Sequence, residues 1–422
     1  MKLPRRILLA GLVTLGAASP VLAQGQTGVL GIPPMTNPGE GLPVGPMLFS
    51  PSVQMAWVSQ DNLFRTPTDP FADDLYVARA NFMFDIPVRQ SLVRFAYRPV
   101  YREYKTYELQ QNWSHFVNLT GRFEFSSGLV IDAQYRFVDG SQEIREVDPG
   151  GELVFGDNPF RKNWFNLGVD YWFTARDGVR LTAQYDDVAY KDPLTEPSPD
   201  PDEQQFYDYT RTFAGAGWLH QINDVLVMNV SYRRVWFDPV DTLSYRTSTS
   251  DEATVGVEGL LSPVVSTAMR VGWRQTQFDD ALGDEVPQDY SRFIINGFVT
   301  WDMGHGSSLN LSLWRETFPS SFGLNAFYDS SRAVLTYRFD RERFFALARA
   351  RYQINDYQVE DLVTGEPRKD DIISYTLGLG YRITRILSLY GSYIHLERDS
   401  TIPRNSFDAN AISVGVTVGI GP

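Results

Sequence analysis

The feature that most constrains this chain is an alternation of apolar and polar side chains that begins near residue 51 and continues to the C-terminus. In the segment 129–137, Leu, Ile, Ala, Tyr and Phe hold the odd positions, and Asp, Gln and Arg hold three of the four even positions. The segments 76–84, 93–102, 165–173 and 373–382 repeat the pattern. Successive side chains of a β-strand point to opposite faces. The pattern therefore predicts an all-β chain whose strands have one apolar and one polar face.

The connections between these strands alternate between short and long. Short connections are predicted at 87–90, 126–128, 175–178, 221–224, 262–264, 303–306, 340–342 and 383–385. Long connections are predicted at 61–73, 139–162, 187–206, 279–289, 355–370 and 398–408. Short turns on one side and long loops on the other are typical of outer-membrane barrels, with the short turns in the periplasm. The pattern predicts a transmembrane antiparallel up-and-down β-barrel of about 18 strands over residues 51–422, with both termini periplasmic.

A soluble β-sandwich or propeller would also alternate, but its apolar face would pack against another sheet. In this chain aromatic side chains recur near both ends of the apolar faces. Those toward the long loops are Tyr97, Tyr101, Tyr135, Phe137, Tyr185, Tyr232, Trp273, Tyr352 and Tyr393. Those toward the short turns are Phe82, Phe84, Phe123, Phe125, Tyr171, Phe173, Trp301, Tyr337, Phe339 and Tyr381. Two aromatic levels match the two interfaces of a membrane, so the membrane barrel is favoured.

The N-terminus has the pattern of a secretory signal peptide. Lys2, Arg5 and Arg6 form a basic region, an apolar stretch follows over 7–18, and Val21-Leu22-Ala23 is a small-x-small cleavage site. Residues 1–23 are predicted to be removed, because the apolar stretch is too short for a spanning anchor helix. Residues 24–50 are rich in Gly and Pro, which predicts a periplasmic lead-in to the barrel. The chain has no cysteine, so a disulfide, a thiolate metal site and a lipid-modified cysteine are excluded.

Arginine dominates the polar faces of the strands, although the formal net charge is −13. The arginines predicted to line the lumen as a candidate solute path are Arg94, Arg98, Arg102, Arg122, Arg136, Arg180, Arg270, Arg274, Arg338, Arg349, Arg351 and Arg382. Arg79, Arg233, Arg292 and Arg332 share that orientation. The acids predicted to face inward are Glu124, Asp132, Asp170, Asp186 and Glu258. Two interpretations remain open: the arginines attract anions in a pore, or they brace the wall through ion pairs.

Catalysis and cofactor binding find little support in the sequence. The histidines, His115, His220, His305 and His395, are scattered, and none has a triad partner or metal-ligand spacing. No catalytic residue, metal or cofactor is therefore predicted, and His305 is interpreted as a turn residue. The negative net charge argues against nucleic acid as a partner. The expected partners are outer-membrane lipids, lipopolysaccharide and the barrel assembly machinery.

Two short motifs carry a resemblance. Ser413, Gly415, Val418 and Ile420 are similar to the C-terminal assembly signal of outer-membrane proteins, with Val418 and Ile420 at positions that are usually aromatic. Asp61, Asn62, Phe64 and Arg65, with Leu63 between them, resemble the "D-N-apolar-aromatic-R" element of the putative β-barrel porin 2 family. The resemblance covers the chain from about residue 50 to its end. It implies an outer-membrane pore, often one associated with export of a secreted polysaccharide, and it adds periplasmic polysaccharide-export proteins to the expected partners. The arginine-rich lumen is also similar to that of alginate-export barrels.

The function expected from the sequence is therefore a passive outer-membrane channel, with export of an extracellular polysaccharide as the first hypothesis. Its arginines would bind successive anionic or hydroxyl-rich units weakly, since conduction needs sites that a solute can leave. Tyr390 would add hydrogen bonds and stacking. One alternative is a diffusion porin for small anionic solutes. Another is a non-conducting structural barrel plugged by its loops.

Overall fold

The computed structural model describes residues 41–141, 152, 157–192, 206–239, 247–279, 289–321, 327–360 and 365–420, with backbone only for 358–360. The predicted signal peptide, residues 1–23, and most of the predicted lead-in lie outside the described residues. The strands are β1 Leu42–Val44, β2 Met47–Gln60, β3 Asp73–Val88, β4 Ser91–Tyr104, β5 Trp113–Glu124, β6 Leu129–Gly140, β7 Phe160–Trp172, β8 Asp177–Tyr190, β9 Tyr209–Asn223, β10 Leu226–Pro239, β11 Ser248–Ser262, β12 Val265–Phe278, β13 Tyr290–Gly304, β14 Ser307–Pro319, β15 Phe327–Arg341, β16 Phe344–Glu360, β17 Pro367–Arg382, β18 Leu387–Ser400 and β19 Phe407–Gly419. No helix in this part of the chain is long and apolar enough to cross a membrane.

Strands β2 to β19 form one closed antiparallel barrel of 18 strands, as the sequence predicts. Each strand pairs with its chain neighbours, and β19 closes the ring on β2 through the register Ala411↔Gln60 to Gly419↔Ser52. Strand β1 forms a small hairpin on β2 below this seam. Barrel strands begin at Met47, inside the segment predicted as lead-in. Pro51 is tolerated in β2 because it sits where β19 ends, near the seam's periplasmic edge.

The outer face of the barrel is apolar between two aromatic levels. Trp57, Trp273 and Tyr352 are exposed toward the extracellular end, and Tyr171 and Trp301 toward the periplasmic end. Aliphatic side chains such as those at 377, 379 and 414 are exposed between these levels. An exposed apolar band of this kind is stable only where lipid replaces water, so the barrel spans a membrane.

The eight predicted short turns are all present, and they close the periplasmic side. Several of them place a residue in the left-handed region, which tight hairpin turns require. His305 adopts φ 54° between Gly304 and Gly306, so its interpretation as a turn residue is confirmed. Arg89 and Glu342 adopt φ 57° and 49° in the equivalent turns.

The extracellular half of the lumen is partly filled by an apolar core. On the inner faces of β2 to β7 and β18 lie Ala56, Val58, Leu75, Val77, Val100, Tyr104, Phe116, Val138, Phe160 and Tyr390. Leu63, Phe64 and Phe71 from the β2–β3 connection pack on this core, as do Tyr107 and Leu109 from the β4–β5 connection. The first two extracellular connections therefore fold inward and leave less of the mouth open on this side.

Candidate functional site: the lumen

Four arginines form a line along the inner faces of β15 and β16, which we call the arginine ladder: Arg338, Arg349, Arg351 and Arg332. The register places Arg349 opposite Thr336 and Arg351 opposite Val334, so the four occupy successive levels from the periplasmic end outward. Their inward orientation follows because the intervening Leu335 and Tyr352 are exposed on the outer face. Neighbouring levels are two residues apart, about 6.8 Å along a strand.

The contacts of the ladder arginines include neutral side chains. Arg349 Nε donates to Thr336 Oγ1 at 3.3 Å, Arg351 donates to Gln353 Oε1, and Arg332 lies 4.3 Å above the Trp314 ring. Arg338 is exposed to the lumen and has no ion-pair partner among the residues that the structure describes. A hydroxyl, an amide oxygen or an aromatic ring can hold a guanidinium in place.

The opposite wall carries two groups in which one arginine meets two carboxylates. Arg122 contacts Glu124 at 2.8 Å and Asp132 at 3.0 Å. Arg180 contacts Asp170 at 2.7 Å and Glu258 at 2.9 Å. Each group has a formal charge of −1. Asp132 and Asp170 lie on β6 and β7, which stand nine strand positions from β15 and β16 in the ring of 18, so they face the ladder across the lumen.

A further cluster on β10 to β14 contains more arginines than carboxylates. Glu252 is 1% exposed and lies between Arg233 and Arg274, with Arg274 Nε at 2.6 Å. Glu316 accepts from Asn296 Nδ2 at 3.0 Å and from Arg270 at 3.3 Å. Buried carboxylates of this kind need paired guanidiniums to remain charged. These arginines therefore brace the wall.

The other predicted path residues have several kinds of partner. Arg94 makes a bidentate contact with Asp85 at 2.6 and 2.8 Å, and Arg382 makes one with Asp340 at 2.7 and 2.6 Å. Arg98 lies over the Phe116 ring at 4.6 Å, and Arg136 over Trp164 at 6.0 Å. Arg102 is 5% exposed and donates to Ser114 Oγ and to the Ser141 carbonyl, both at 3.3 Å, so it lies away from the open lumen.

Sequence reasoning missed several inward residues. The additional arginines are Arg211, Arg368 and Arg398, and the additional acids are Asp85, Glu252, Glu316, Asp340 and Asp370. Arg368, Asp370 and Arg398 were missed because the strands continue into segments predicted as loops. The acids were missed because strand ends lack the apolar alternation that fixes a face. The inner wall is therefore less basic than the sequence suggested.

One residue of the β6–β7 connection lies on the far side of the mouth. The Glu152 carboxylate accepts from Ser320 Oγ at 2.6 Å, Ser321 N at 2.8 Å and Ser321 Oγ at 2.7 Å, at the extracellular end of β14. Arg398 of β18 donates to the Glu152 carbonyl at 2.8 Å. Since β14 lies eight positions from β6 in the ring, this contact crosses the barrel. Glu152 therefore narrows the extracellular mouth.

Two further contacts tie extracellular connections together. Tyr207 donates to the Ser320 carbonyl at 3.1 Å, so the connection before β9 also reaches β14. Tyr107 donates to Asp157 Oδ2 at 3.0 Å, which joins the β4–β5 and β6–β7 connections. Burial raises the pKa of Tyr107 to about 12, and the hydrogen bond to Asp157 adds to this shift. Tyr107 therefore keeps its proton, and remains a hydrogen-bond donor, at neutral pH.

The Asp61–Arg65 motif fastens the seam of the barrel at its extracellular end. Asp61 accepts from Asn410 N at 2.6 Å and from Asn410 Nδ2 at 2.8 Å, which joins the top of β2 to β19. Asn62 donates to the carbonyls of Asp408 at 2.9 Å and Thr66 at 2.8 Å. Phe64 packs against Phe71 and Tyr107 in the inner core, and Arg65 adopts φ 58° in the turn. The motif closes the barrel and anchors the first loop.

The residues of the C-terminal motif lie along the other side of the same seam. Ser413 Oγ contacts Ser392 Oγ at 2.6 Å, and Gly415 lies under the Tyr390 hydroxyl, where a side chain would clash. Val418 is exposed on the outer face, and the Ile420 amide donates to the Pro51 carbonyl at 2.9 Å. Their role as an assembly signal stays a prediction.

A closed 18-strand barrel with an apolar belt, short periplasmic turns and a charged lumen defines the class of outer-membrane porin-like barrels. The model of the family "Putative beta-barrel porin 2" matches residues 37–419, and the chain belongs to that family. The family points to a channel in the bacterial outer membrane rather than to an enzyme. No group of three or more potential metal ligands occurs within the described ranges.

Comparison with curated proteins gives no match. The chain is similar in fold to the crystal structure of Acinetobacter baumannii OccAB3, with a TM-score of 0.48, 11% identity, and coverage of 89% of this chain and 100% of that chain. It is also similar to Pseudomonas aeruginosa OpdQ, with a TM-score of 0.48, 11% identity, and 90% and 100% coverage. For P. aeruginosa OpdK with vanillate the TM-score is 0.46 and the identity 10%, with 88% and 98% coverage.

Proposed function

We propose that this protein is a passive outer-membrane channel that favours anionic solutes. The observation that carries the proposal is the arginine ladder on β15 and β16, which faces two groups of net charge −1 on β5 to β8 and β11. An anion entering the lumen is drawn to the ladder side and repelled by the other side. Four levels at about 6.8 Å spacing span roughly 20 Å of the lumen.

The ladder suits transport because each of its sites is weak. Its guanidiniums are partly exposed to lumen water, so a carboxylate or phosphate exchanges one set of charge-assisted hydrogen bonds for another. A solute that binds moderately at several successive sites can enter and still leave. The ladder replaces the Arg94–Arg98–Arg102 line as the main candidate path, since Arg102 is buried and Arg94 is paired with Asp85.

The test is a triple change of Arg338, Arg349 and Arg351 to Gln, with the barrel reconstituted in planar bilayers. The wild type is expected to have a reversal potential in a salt gradient that favours anions. The triple variant should lose most of this preference, because three positive charges leave one wall while the carboxylates opposite remain.

The matched control changes Arg161, Arg234 and Arg315 to Gln. These three are exposed and lie outside the ladder, so the net charge changes equally while the lumen wall does not. Its selectivity should equal that of the wild type. A cation-selective wild type, or equal selectivity in both triple variants, contradicts the proposal.

Within this function, we propose export of an acidic extracellular polysaccharide as the physiological role. An extended polyanion can contact several ladder levels at once, whereas a small anion contacts one or two. Oligouronates of increasing length should therefore block the channel for progressively longer times. Block times that stop rising beyond the dimer would instead favour the diffusion porin for small anions, and an absence of conductance would favour the plugged barrel.

A further inference from the structure

A cavity of about 220 Å³ indents the inner wall between β6 and β13, on the side away from the arginine ladder. It forms because Gly168, Gly217 and Gly256 have no side chains, whereas neighbouring inward-facing positions carry long ones. A Cβ at Gly217 would lie 3.0 Å from Ser231 Cβ and 3.2 Å from Asn229 Oδ1. The absence of a side chain at Gly217 therefore allows Ser231 and Asn229 to approach the backbone closely.

The charged groups that line the cavity balance. Asp132, Asp170 and Glu258 are matched in number by Arg180, Arg233 and Arg270. All of them have charged partners already: Arg180 lies between Asp170 and Glu258, Asp132 contacts Arg122, and the other two arginines contact Glu252 and Glu316. A charged ligand would therefore have to break an existing ion pair in order to bind.

The hydrogen-bonding capacity that remains belongs to neutral side chains. The register places Gln134, Asn166 and Gln184 side by side on β6, β7 and β8. Asn166 and Thr182 have no side-chain hydrogen bond among the residues that the structure describes, and both line the cavity. Donors and acceptors of this kind match hydroxyl groups, which can both give and accept a hydrogen bond.

We propose that this cavity binds one neutral, hydroxyl-rich ring, of the size of a single pyranose, from the lumen. Hydroxyls of the ring would contact Asn166 and Thr182, which lie on the paired strands β7 and β8 one inward level apart, while the paired charges around them stay in place. The site differs in ligand class and position from the arginine ladder. It rests on the proposed function only in that the solute reaches it through the lumen.

The test uses equilibrium binding, which does not require the barrel to conduct. Methyl glucopyranoside is titrated into the detergent-solubilised barrel and followed by saturation-transfer NMR. Saturable binding is expected, and Thr182→Val and Asn166→Leu should each weaken it by about 2- to 10-fold, the loss that one neutral hydrogen bond accounts for. Both substitutions keep the size of the side chain, and a heat-modifiable band on gels confirms that each variant is folded.

The matched control is Thr376→Val, the same change on β17 outside the cavity, which should leave the affinity unchanged. Acetate, a ligand for the ladder, should not compete with the glucoside. The inference is overturned by an absence of saturable binding, by competition from acetate, by tighter binding of the zwitterion alanine than of the glucoside, or by an equal effect of Thr376→Val. Loss of anion selectivity in the ladder variant leaves this result unaffected, so the two proposals fail separately.

Discussion

At the scale of single residues, the seam is held by one buried and one exposed polar side chain. Asn62 is 4% exposed and satisfies three backbone groups, those of Thr66 N, Thr66 O and Asp408 O. Asp61, one position earlier, makes its two contacts at the exposed rim. A buried amide that satisfies several backbone groups contributes more than an exposed carboxylate, because its loss leaves those groups unsatisfied away from water.

Replacing Asn62 with Leu should therefore destabilise the barrel by about 2–4 kcal/mol, since it leaves buried backbone groups without partners. Urea unfolding of the barrel in lipid vesicles measures the free energy, and hydrogen exchange at Asn410 reports opening of the seam. Asp61→Asn is the control and should have a smaller effect. Equal stability of Asn62→Leu and the wild type would show that the motif does not hold the seam.

At the scale of elements, the wall and the mouth are held by contacts between strands that are not neighbours. Arg180 of β8 reaches Glu258 of β11 because Gly217 on the intervening β9 leaves room for its side chain. Glu152 contacts β14 across the mouth. Both contacts join parts of the chain that the hydrogen-bonded strand pairs do not connect directly.

Glu152→Ala should widen the open state of the channel, because the contact across the mouth to Ser320 and Ser321 is lost. Charge-assisted hydrogen bonds contribute about 1.5–3 kcal/mol, so time in a higher-conductance state should rise on the order of 10- to 100-fold. Single-channel recording measures it. The double variant Ser320→Ala, Ser321→Ala should have the same effect, and combining all three changes should add little. Additive effects, or unchanged conductance, would mean that this contact does not limit the pore.

At the scale of the whole molecule, the orientation in the membrane follows from the turns. All described short turns lie at one end of the barrel, and the connections that fold over the mouth lie at the other. Short turns face the periplasm in outer-membrane barrels because the chain enters the membrane from that side. The mouth narrowed by Glu152 is therefore the extracellular one.

An epitope tag inserted after Arg404, between β18 and β19, should be labelled by antibody on intact cells. A tag inserted after His305, in the turn between β13 and β14, should be labelled only after the outer membrane is permeabilised. Both insertions fall outside the strands, so both tagged variants should still assemble as barrels, and this assembly is the common control. Labelling of the His305 tag on intact cells would reverse the orientation.

The sequence by itself determined the barrel, because a period of two, aromatic residues at two levels and alternating connection lengths are local properties of the chain. It predicted the strand number and the turns, and it identified the Asp61–Arg65 segment as distinctive without revealing its contacts. Only the tertiary structure decided which arginines face open water. Ion pairs such as Arg94–Asp85 and Arg180–Glu258 join residues whose distance depends on strand register and on glycines in intervening strands. Register and the inward folding of loops arise from packing across the barrel, which a single strand's pattern does not encode.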